Sequence, residues 1–363
     1  MTVGQRGHFQ YISYSAFDPI FFLHHAMVDR VVGMWQEIYP DTWVEPVPSD
    51  EATFTTARGQ MQDSSTPLTP FRKDENGGFW DSDMSRKVEA FGYSYQDMFL
   101  DERNSSIRRQ QVIARINSLY AGAGPYAVLF GDPSKGTKPG AQAKDAKAVE
   151  DIIRRELDAA RAEPPRDWDE EPNFSSRYLG QPPPASSLIR DGQYSEWLAN
   201  IQVQDSLLGG PFSIHLFWGH VPEVTDDFLS APNLVGTMSV FSMTSVPGMS
   251  HGNKKVSSTV PLTAALLRLM AARRLGSLAD QEVVPLMQSK LSYMILDAEG
   301  QLADVTPGLG LSIGIASALV RAPETADELP RWGRLKTHFM LEGEMTDEDD
   351  LADGGIRKGG WTG

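Results

Sequence analysis

The segment from Ile20 to Tyr39 constrains the fold of this chain more than any other part of the sequence. It has no proline and a single glycine, Gly33, and its apolar residues recur at the three- and four-residue spacing of one helix face. Asp18 is a good N-cap, and Pro19 suits the first helical position because its missing N–H would have no partner there. The pattern predicts one long amphipathic helix.

The predicted helix carries two adjacent histidines, His24 and His25, and an acidic residue, Asp29, one turn further on. Residues at i and i+4 share a helix face, so the Asp29 carboxylate could orient a His25 ring that binds a metal. Because neutral histidine packs often and binds metal rarely, a buried helix with hydrogen-bonded histidines is the competing interpretation. The local pattern leaves both interpretations open.

The wider string around these histidines has a recognisable form. It reads Asp18-Pro19-Ile20-Phe21-Phe22-Leu23-His24-His25, followed after three residues by Asp29-Arg30. This string resembles the second copper-binding signature of tyrosinases, catechol oxidases and molluscan haemocyanins. The resemblance implies that His25 is a ligand of copper B and that His24 is its neighbour. It also implies that Asp29 and Arg30 are structural residues around the helix.

Downstream segments extend the resemblance. Tyr93-Ser94-Tyr95 is similar to the Tyr-x-Tyr motif that closes the catalytic domain of fungal tyrosinases, which implies a structural role for Tyr93 and Tyr95. Three later segments resemble the family's C-terminal domain, which covers the copper cleft: 212–219, 232–236 and 260–267. The chain is identified as a member of the fungal tyrosinase (type-3 copper polyphenol oxidase) family, covering the end of the copper B region and the C-terminal domain.

The expected fold class is α+β, with four parts along the chain. Residues 1–120 are expected to be part of the α-helical copper-binding domain, and residues 121–187 a charged linker rich in proline and glycine. Residues 188–345 are expected to form an antiparallel β-sandwich, and residues 346–363 an acidic, glycine-rich tail.

Periodicity places individual elements within these parts. In the first part it predicts helices near 83–90 and at 105–120, in addition to the helix at 19–39. In the sandwich it predicts two short helices, at 262–273 and 279–288, and strands at 196–205, 212–219, 234–243, 290–297 and 310–319.

The histidines do not complete a copper site. The family's binuclear site needs several imidazoles on each of two copper ions, whereas the chain has seven histidines: His8, His24, His25, His215, His220, His251 and His338. Only His24 and His25 lie on a suitable helix, and His8 is the candidate for one additional ligand. His215 and His220 lie in a strand-like segment and are interpreted as ordinary hydrogen-bonded histidines.

The resemblance implies a copper-dependent monooxygenase that hydroxylates monophenols and oxidises o-diphenols to o-quinones, as in melanin biosynthesis. Its expected cofactor is copper and its expected partners are phenolic small molecules. Because copper A and most copper B ligands are missing from the sequence, we expect a truncated chain that is not active alone. The alternative is a non-catalytic module that covers a related phenol oxidase, which would then be its partner.

Composition excludes several other classes. A net charge of −15 argues against a nucleic-acid-binding protein, which needs a basic surface. The absence of cysteine excludes disulfides and thiolate metal sites. The longest apolar stretch, 309–320, is too short to cross a membrane. The polar segment 1–10 lacks the apolar core of a signal peptide, so the expected location is cytoplasmic or otherwise intracellular.

Overall fold

The computed structural model describes residues 14–50, 52–98, 104–120, 188–242, 255–303, 310–325 and 327–343, with the single residues 125, 128, 173, 174 and 183. The chain divides into two compact units, one from Leu23 to Arg115 and one formed by Met1–Phe22 with Ile116–Gly363. The domain boundaries expected at 120 and 187 stay predictions, since most residues near them lie outside the described ranges. No helix in the described ranges is long and apolar enough to span a bilayer.

Two α-helices frame the Leu23–Arg115 unit. Helix α1 spans Pro19–Ile38 and helix α2 spans Ser105–Tyr120, which confirms both predictions. The predicted cap of α1 is present, because the Ile20 N–H donates to Asp18 Oδ1 over 3.1 Å. In α2 the capping acceptor is Asn104, whose Oδ1 lies 2.9 Å from the Ser106 nitrogen.

The chain between α1 and α2 is mostly irregular. A two-stranded ribbon pairs β1, Val47–Pro48, with β2, Met61–Gln62. The helix predicted near 83–90 is instead a turn followed by a short 3-10 helix, Val88–Phe91. This short helix ends at Gly92, whose positive φ of 78° favours glycine and closes the turn.

The other unit, Met1–Phe22 with Ile116–Gly363, is called the C-terminal unit below. It contains two antiparallel sheets, which confirms the predicted sandwich class. One sheet has the strand order β6-β3-β8-β9 and the other has the order β5-β4-β7. The strands are β3 Gln193–Gln204, β4 Phe212–Trp218, β5 Leu234–Val240, β6 Lys255–Pro261, β7 Leu291–Leu296, β8 Leu311–Arg321 and β9 Arg331–Glu342. Five of these match the sequence-based strands, whereas β6 and β9 were not predicted.

Two helices connect β6 to β7, as predicted, and complete the core of this unit. Helix α3 spans Thr263–Ala271 and helix α4 spans Asp280–Lys290. Trp197 of β3 is fully buried; its indole N–H donates to the Leu278 carbonyl over 3.0 Å and its backbone N–H donates to Thr263 Oγ1 over 2.8 Å. A large aromatic side chain with its polar atom satisfied therefore joins β3 to the helical segment.

One predicted hydrogen-bonded histidine lies inside the sandwich. His215 of β4 is 2 % exposed, and its ring nitrogens lie 2.8 Å from Ser213 Oγ and 3.0 Å from Thr237 Oγ1. Burial lowers the pKa of His215 to about 4, so the ring is neutral at physiological pH. His220 lies beyond the end of β4 rather than within the strand, because β4 ends at Trp218.

Candidate metal centre

The two adjacent histidines of α1 are both exposed. Their ring centroids are 5.2 Å apart and their planes are nearly perpendicular, at 86°. Because successive residues of an α-helix lie about 100° apart around the helix axis, the two imidazoles project in different directions. A single neighbouring element can therefore face one of the two rings, but not both.

The same stretch of α1 exposes an apolar surface. Large side chains around the histidines are 38–66 % exposed: Ile20, Phe22, Leu23, Met27, Val28, Val31 and Val32. Burial begins further along the helix, at Gly33, Met34 and Ile38. The end of α1 that follows the histidines is therefore partly buried, whereas the end that bears them is exposed.

A pair of tyrosines binds Asp29, one turn after His25. The hydroxyls of Tyr93 and Tyr95 both donate to Asp29 Oδ2, over 2.8 and 2.6 Å, and the Tyr95 hydroxyl also lies 3.0 Å from the Ala26 carbonyl. Burial and the adjacent Asp29 charge raise the pKa of both tyrosines, so the hydroxyls stay protonated and donate. The Asp29 carboxylate therefore joins α1 to the segment that carries the tyrosine pair.

The next residue of α1, Arg30, binds a buried carboxylate. Its Nε and Nη2 lie 2.7 and 2.6 Å from Oδ2 of Asp97, while Arg115 Nε of α2 lies 2.6 Å from Oδ1. The Asp97 side chain is only 6 % exposed. Burial alone would raise the pKa of Asp97, but the hydrogen bonds from Arg115 and Arg30 outweigh it and hold the pKa below its usual value.

These contacts link three elements of the unit. Asp29 and Arg30 are consecutive on α1, and both are held by the short segment from Tyr93 to Asp97, which in turn binds α2 through Arg115. The structure thus brings together all four residues for which the sequence implied a structural role. It adds Asp97 and Arg115, which the sequence reasoning missed.

The described residues do not form a complete copper site. Within the described ranges, no group of three or more His, Cys, Asp or Glu side chains is placed to hold a metal ion. His8, the candidate additional ligand, lies outside those ranges, as does His251. Imidazoles suit copper, but His24 and His25 alone do not build a coordination sphere, since two imidazoles fill only part of one.

Comparison with known families identifies the scaffold. Residues 1–38 match the common central domain of tyrosinase, and residues 196–315 match the tyrosinase C-terminal domain. Over these two segments the chain is similar to the two domains of tyrosinases. The first match ends where α1 ends, and the second spans most of β3 to β8, so both parts of the predicted family assignment correspond to described elements.

Curated tyrosinases resemble the chain over most of its length. The tyrosinase of Neurospora crassa is 28 % identical over 390 residues, which cover 93 % of this chain and 56 % of that protein. The tyrosinase of Podospora anserina is 29 % identical, with 76 % of this chain and 49 % of that protein covered. The chain therefore spans about half the length of these relatives.

A solved structure shows the same fold. A crystal structure of latent and active mushroom tyrosinase superimposes with a TM-score of 0.61 at 20 % identity, covering 92 % of this chain and 52 % of that one. At this identity the likeness establishes the fold alone, and both the helices and the antiparallel sheets are part of it.

The Tyr95 hydroxyl is expected to stabilise the Leu23–Arg115 unit more than the Tyr93 hydroxyl does. Tyr95→Phe should lower the free energy of unfolding by about 1–2 kcal/mol, because it removes a hydrogen bond to a charged acceptor. Tyr93→Phe should cost less, since the Tyr93 side chain is 43 % exposed. Urea unfolding followed by hydrogen exchange of residues 93–98 measures both.

A double-mutant cycle with Asp29→Asn controls this prediction. If the Tyr95 hydroxyl acts through the Asp29 carboxylate, Tyr95→Phe should cost less when Asp29→Asn is already present than it does in the wild type. Equal costs in both backgrounds would show that the hydroxyl acts elsewhere.

Proposed function

We propose that this chain serves in a copper-dependent phenol oxidase, which converts monophenols and o-diphenols to o-quinones. Within that enzyme, the exposed end of α1 contributes His25 as a copper B ligand, with His24 as its neighbour. The observation that carries the proposal is the coincidence of the central-domain match, residues 1–38, with a helix that exposes His25 and is anchored one turn further on.

The proposed roles of the other residues follow from their contacts. Asp29 and Arg30 hold α1 against the 93–97 segment through Tyr93, Tyr95 and Asp97, which fixes the helix that carries His25. Copper, when bound in the family's site, supplies the oxidation chemistry. Because the described residues do not complete that site, the proposal requires further imidazole ligands. No feature of the described residues favours the alternative role of a module that covers another phenol oxidase.

Copper titration tests the metal requirement. We expect the purified chain to bind less than one equivalent of tight copper and to show no catechol oxidation, because two adjacent imidazoles on one helix fill only part of a copper coordination sphere. Isothermal calorimetry with a parallel assay of o-quinone formation measures both quantities. Tight loading with two equivalents, together with catechol turnover, would refute the need for further ligands.

A chimaera tests the phenol oxidase assignment itself. In this chimaera, residues 17–98 of this chain replace the matching segment of the Neurospora crassa tyrosinase. The rest of that tyrosinase supplies the remaining central domain. We expect the chimaera to oxidise catechol and to lose at least about 100-fold in activity with His25→Ala, with a smaller loss for His24→Ala. A folded, copper-loaded chimaera in which His25→Ala has no effect would contradict the assignment of His25.

A further inference from the structure

A short hairpin, residues 71–80, carries an asparagine–glycine pair at its tip. The Lys73 N–H donates to the Gly78 carbonyl over 2.9 Å, which joins the two arms close to the turn. Asn76 and Gly77 lie in that turn, and Asn76 is exposed to water. No other asparagine of the chain precedes a glycine. The hairpin therefore holds one Asn–Gly pair in a fixed turn that water reaches.

Asp74 closes this turn and leaves the reactive groups of the pair without hydrogen bonds. Its Oδ1 accepts the Asn76 N–H over 2.8 Å and the Gly78 N–H over 3.4 Å. Within the described ranges, neither the Gly77 N–H nor the Asn76 side-chain amide makes a hydrogen bond. Gly77 has a φ of 93°, which glycine adopts without strain. The Gly77 nitrogen is therefore available to react with the side chain that precedes it.

One guanidinium group lies against this turn. The Cζ atom of Arg72 is 5.1 Å from the centre of the Phe79 ring, and this contact holds the guanidinium in place. A Cβ added at Gly77 would lie 3.2 Å from Arg72 Nη1, so the guanidinium is next to the Gly77 backbone. Within the described ranges, Arg72 forms no ion pair. Its charge can therefore stabilise negative charge that develops at Gly77.

We propose that Asn76 is a site of spontaneous conversion to aspartate and isoaspartate, and that Arg72 accelerates this conversion. The Gly77 nitrogen gives up its proton and attacks Cγ of Asn76. A new N–Cγ bond forms, the bond from Cγ to Nδ2 breaks, and Nδ2 leaves with the proton as ammonia. Water then opens the resulting cyclic succinimide at either carbonyl, which yields the two products. Water is the only other reactant that these steps consume.

The contribution of Arg72 follows from the charge that the reaction creates. Negative charge develops first on the Gly77 nitrogen and then on the side-chain oxygen of Asn76. A cation held in place beside these atoms stabilises the charge as it forms and lowers the barrier. The carboxylates of Asp74 and Glu75 oppose this effect, although the two N–H groups bound to Asp74 Oδ1 offset part of its charge. Removal of the Arg72 charge should therefore slow the reaction.

Incubation of the purified full chain at mildly alkaline pH tests the proposal. Peptide mass spectrometry follows the gain in mass at Asn76 over time, and enzymatic methylation of isoaspartate measures the rearranged product. We expect Asn76 to convert faster than every other asparagine of the chain. Arg72→Met should slow the conversion by about threefold to fivefold, because an exposed guanidinium acts through a partly screened field. Arg72→Lys keeps a positive charge at this position and should recover most of the rate.

Matched controls separate the effect of the folded turn from that of the local sequence. Arg58→Met removes an exposed arginine from another loop of the same unit and should leave the rate within about 1.5-fold. Arg72→Gln is a second neutral variant and should be slowed as much as Arg72→Met, with circular dichroism as the check that each variant is folded. In concentrated urea the wild type and both neutral variants should convert at equal rates, because the unfolded chain no longer holds Arg72 against Gly77.

Three results would overturn the proposal. The first is conversion in the folded neutral variants that is as fast as in the wild type, or faster. The second is an equal slowing of these variants in urea, which would assign the effect to the sequence alone. The third is conversion of Asn76 that is no faster than that of the other asparagines.

Discussion

Asp97→Asn is expected to lower the free energy of unfolding of the Leu23–Arg115 unit by about 3 kcal/mol at neutral pH. The substitution removes the carboxylate charge that two guanidinium groups share, and a buried charge left without its partner typically costs about 3–5 kcal/mol. The loss should lie at the lower end of this range, because Arg115 is 47 % exposed and can be hydrated, whereas Arg30 is only 17 % exposed.

The pH dependence of this effect has a definite sign. The folded-state pKa of Asp97 is lowered, so its contribution is present above the usual aspartate pKa of 3.8 and is lost as the pH falls further. The stability difference between the wild type and Asp97→Asn should therefore hold at neutral pH and shrink in acid. Urea unfolding, followed by hydrogen exchange of α1 and residues 93–98, measures it.

Two further variants decide whether the ionic network itself is responsible. Asp41→Asn removes an exposed carboxylate from the same unit and should change stability by no more than about 0.5 kcal/mol. Arg30→Met/Asp97→Leu removes two members of the network and should recover part of the loss. The buried Arg30 charge, which Asp97→Asn leaves without a carboxylate partner, is then absent as well. If Asp97→Asn behaved like Asp41→Asn, the network would contribute nothing measurable.

The residues of this network show where sequence reasoning about the candidate site succeeds and where it stops. Asp29 and Arg30 lie within a contiguous string of recognisable form, and the Tyr-x-Tyr spacing marked Tyr93 and Tyr95. Asp97 was missed because its bond to Arg30 joins residues 67 positions apart, and no local period records such a pairing. His25 remains a predicted ligand, since its proposed role depends on groups beyond the described residues.

The strands also fall into those that the sequence predicts and those that it misses, and the difference has a physical reason. The five strands predicted from sequence include the central strands β3, β4 and β8, whose burial gives a strong apolar signal. The missed strands β6 and β9 lie at the two edges of one sheet. Serines and threonine fill the middle of β6, and register shifts in the pairing of β9 displace its side chains from strict alternation.

A half-buried glutamate and a buried histidine should make the C-terminal unit respond to pH in opposite directions. Burial raises the pKa of Glu196 from 4.5 to about 7, so its stabilising contribution is complete below pH 4.5 and is lost as the pH rises towards 7. Burial lowers the pKa of His215 from 6.5 to about 4, so its contribution is complete above pH 6.5 and is lost as the pH falls towards 4.

Each group alone is worth about 3 kcal/mol over its range, since a shift of one pKa unit corresponds to about 1.4 kcal/mol. Because the two ranges overlap and the slopes oppose, their sum should stay nearly level between pH 4 and 7. Glu196→Gln should therefore be about 3 kcal/mol more stable than the wild type at pH 8 and should lose stability steeply as the pH falls to 4. His215→Gln should show the opposite slope.

Denaturant unfolding of the C-terminal unit across pH 4–8 measures these slopes, with hydrogen exchange of β3 and β4 as the local reporter. Glu223→Gln, at an exposed loop position of the same unit, serves as the control and should follow the wild-type profile. Parallel profiles for Glu196→Gln and the wild type would mean that the Glu196 carboxyl is hydrated in the folded protein. Opposite slopes in the two single variants would show that the level profile of the wild type results from compensation between Glu196 and His215.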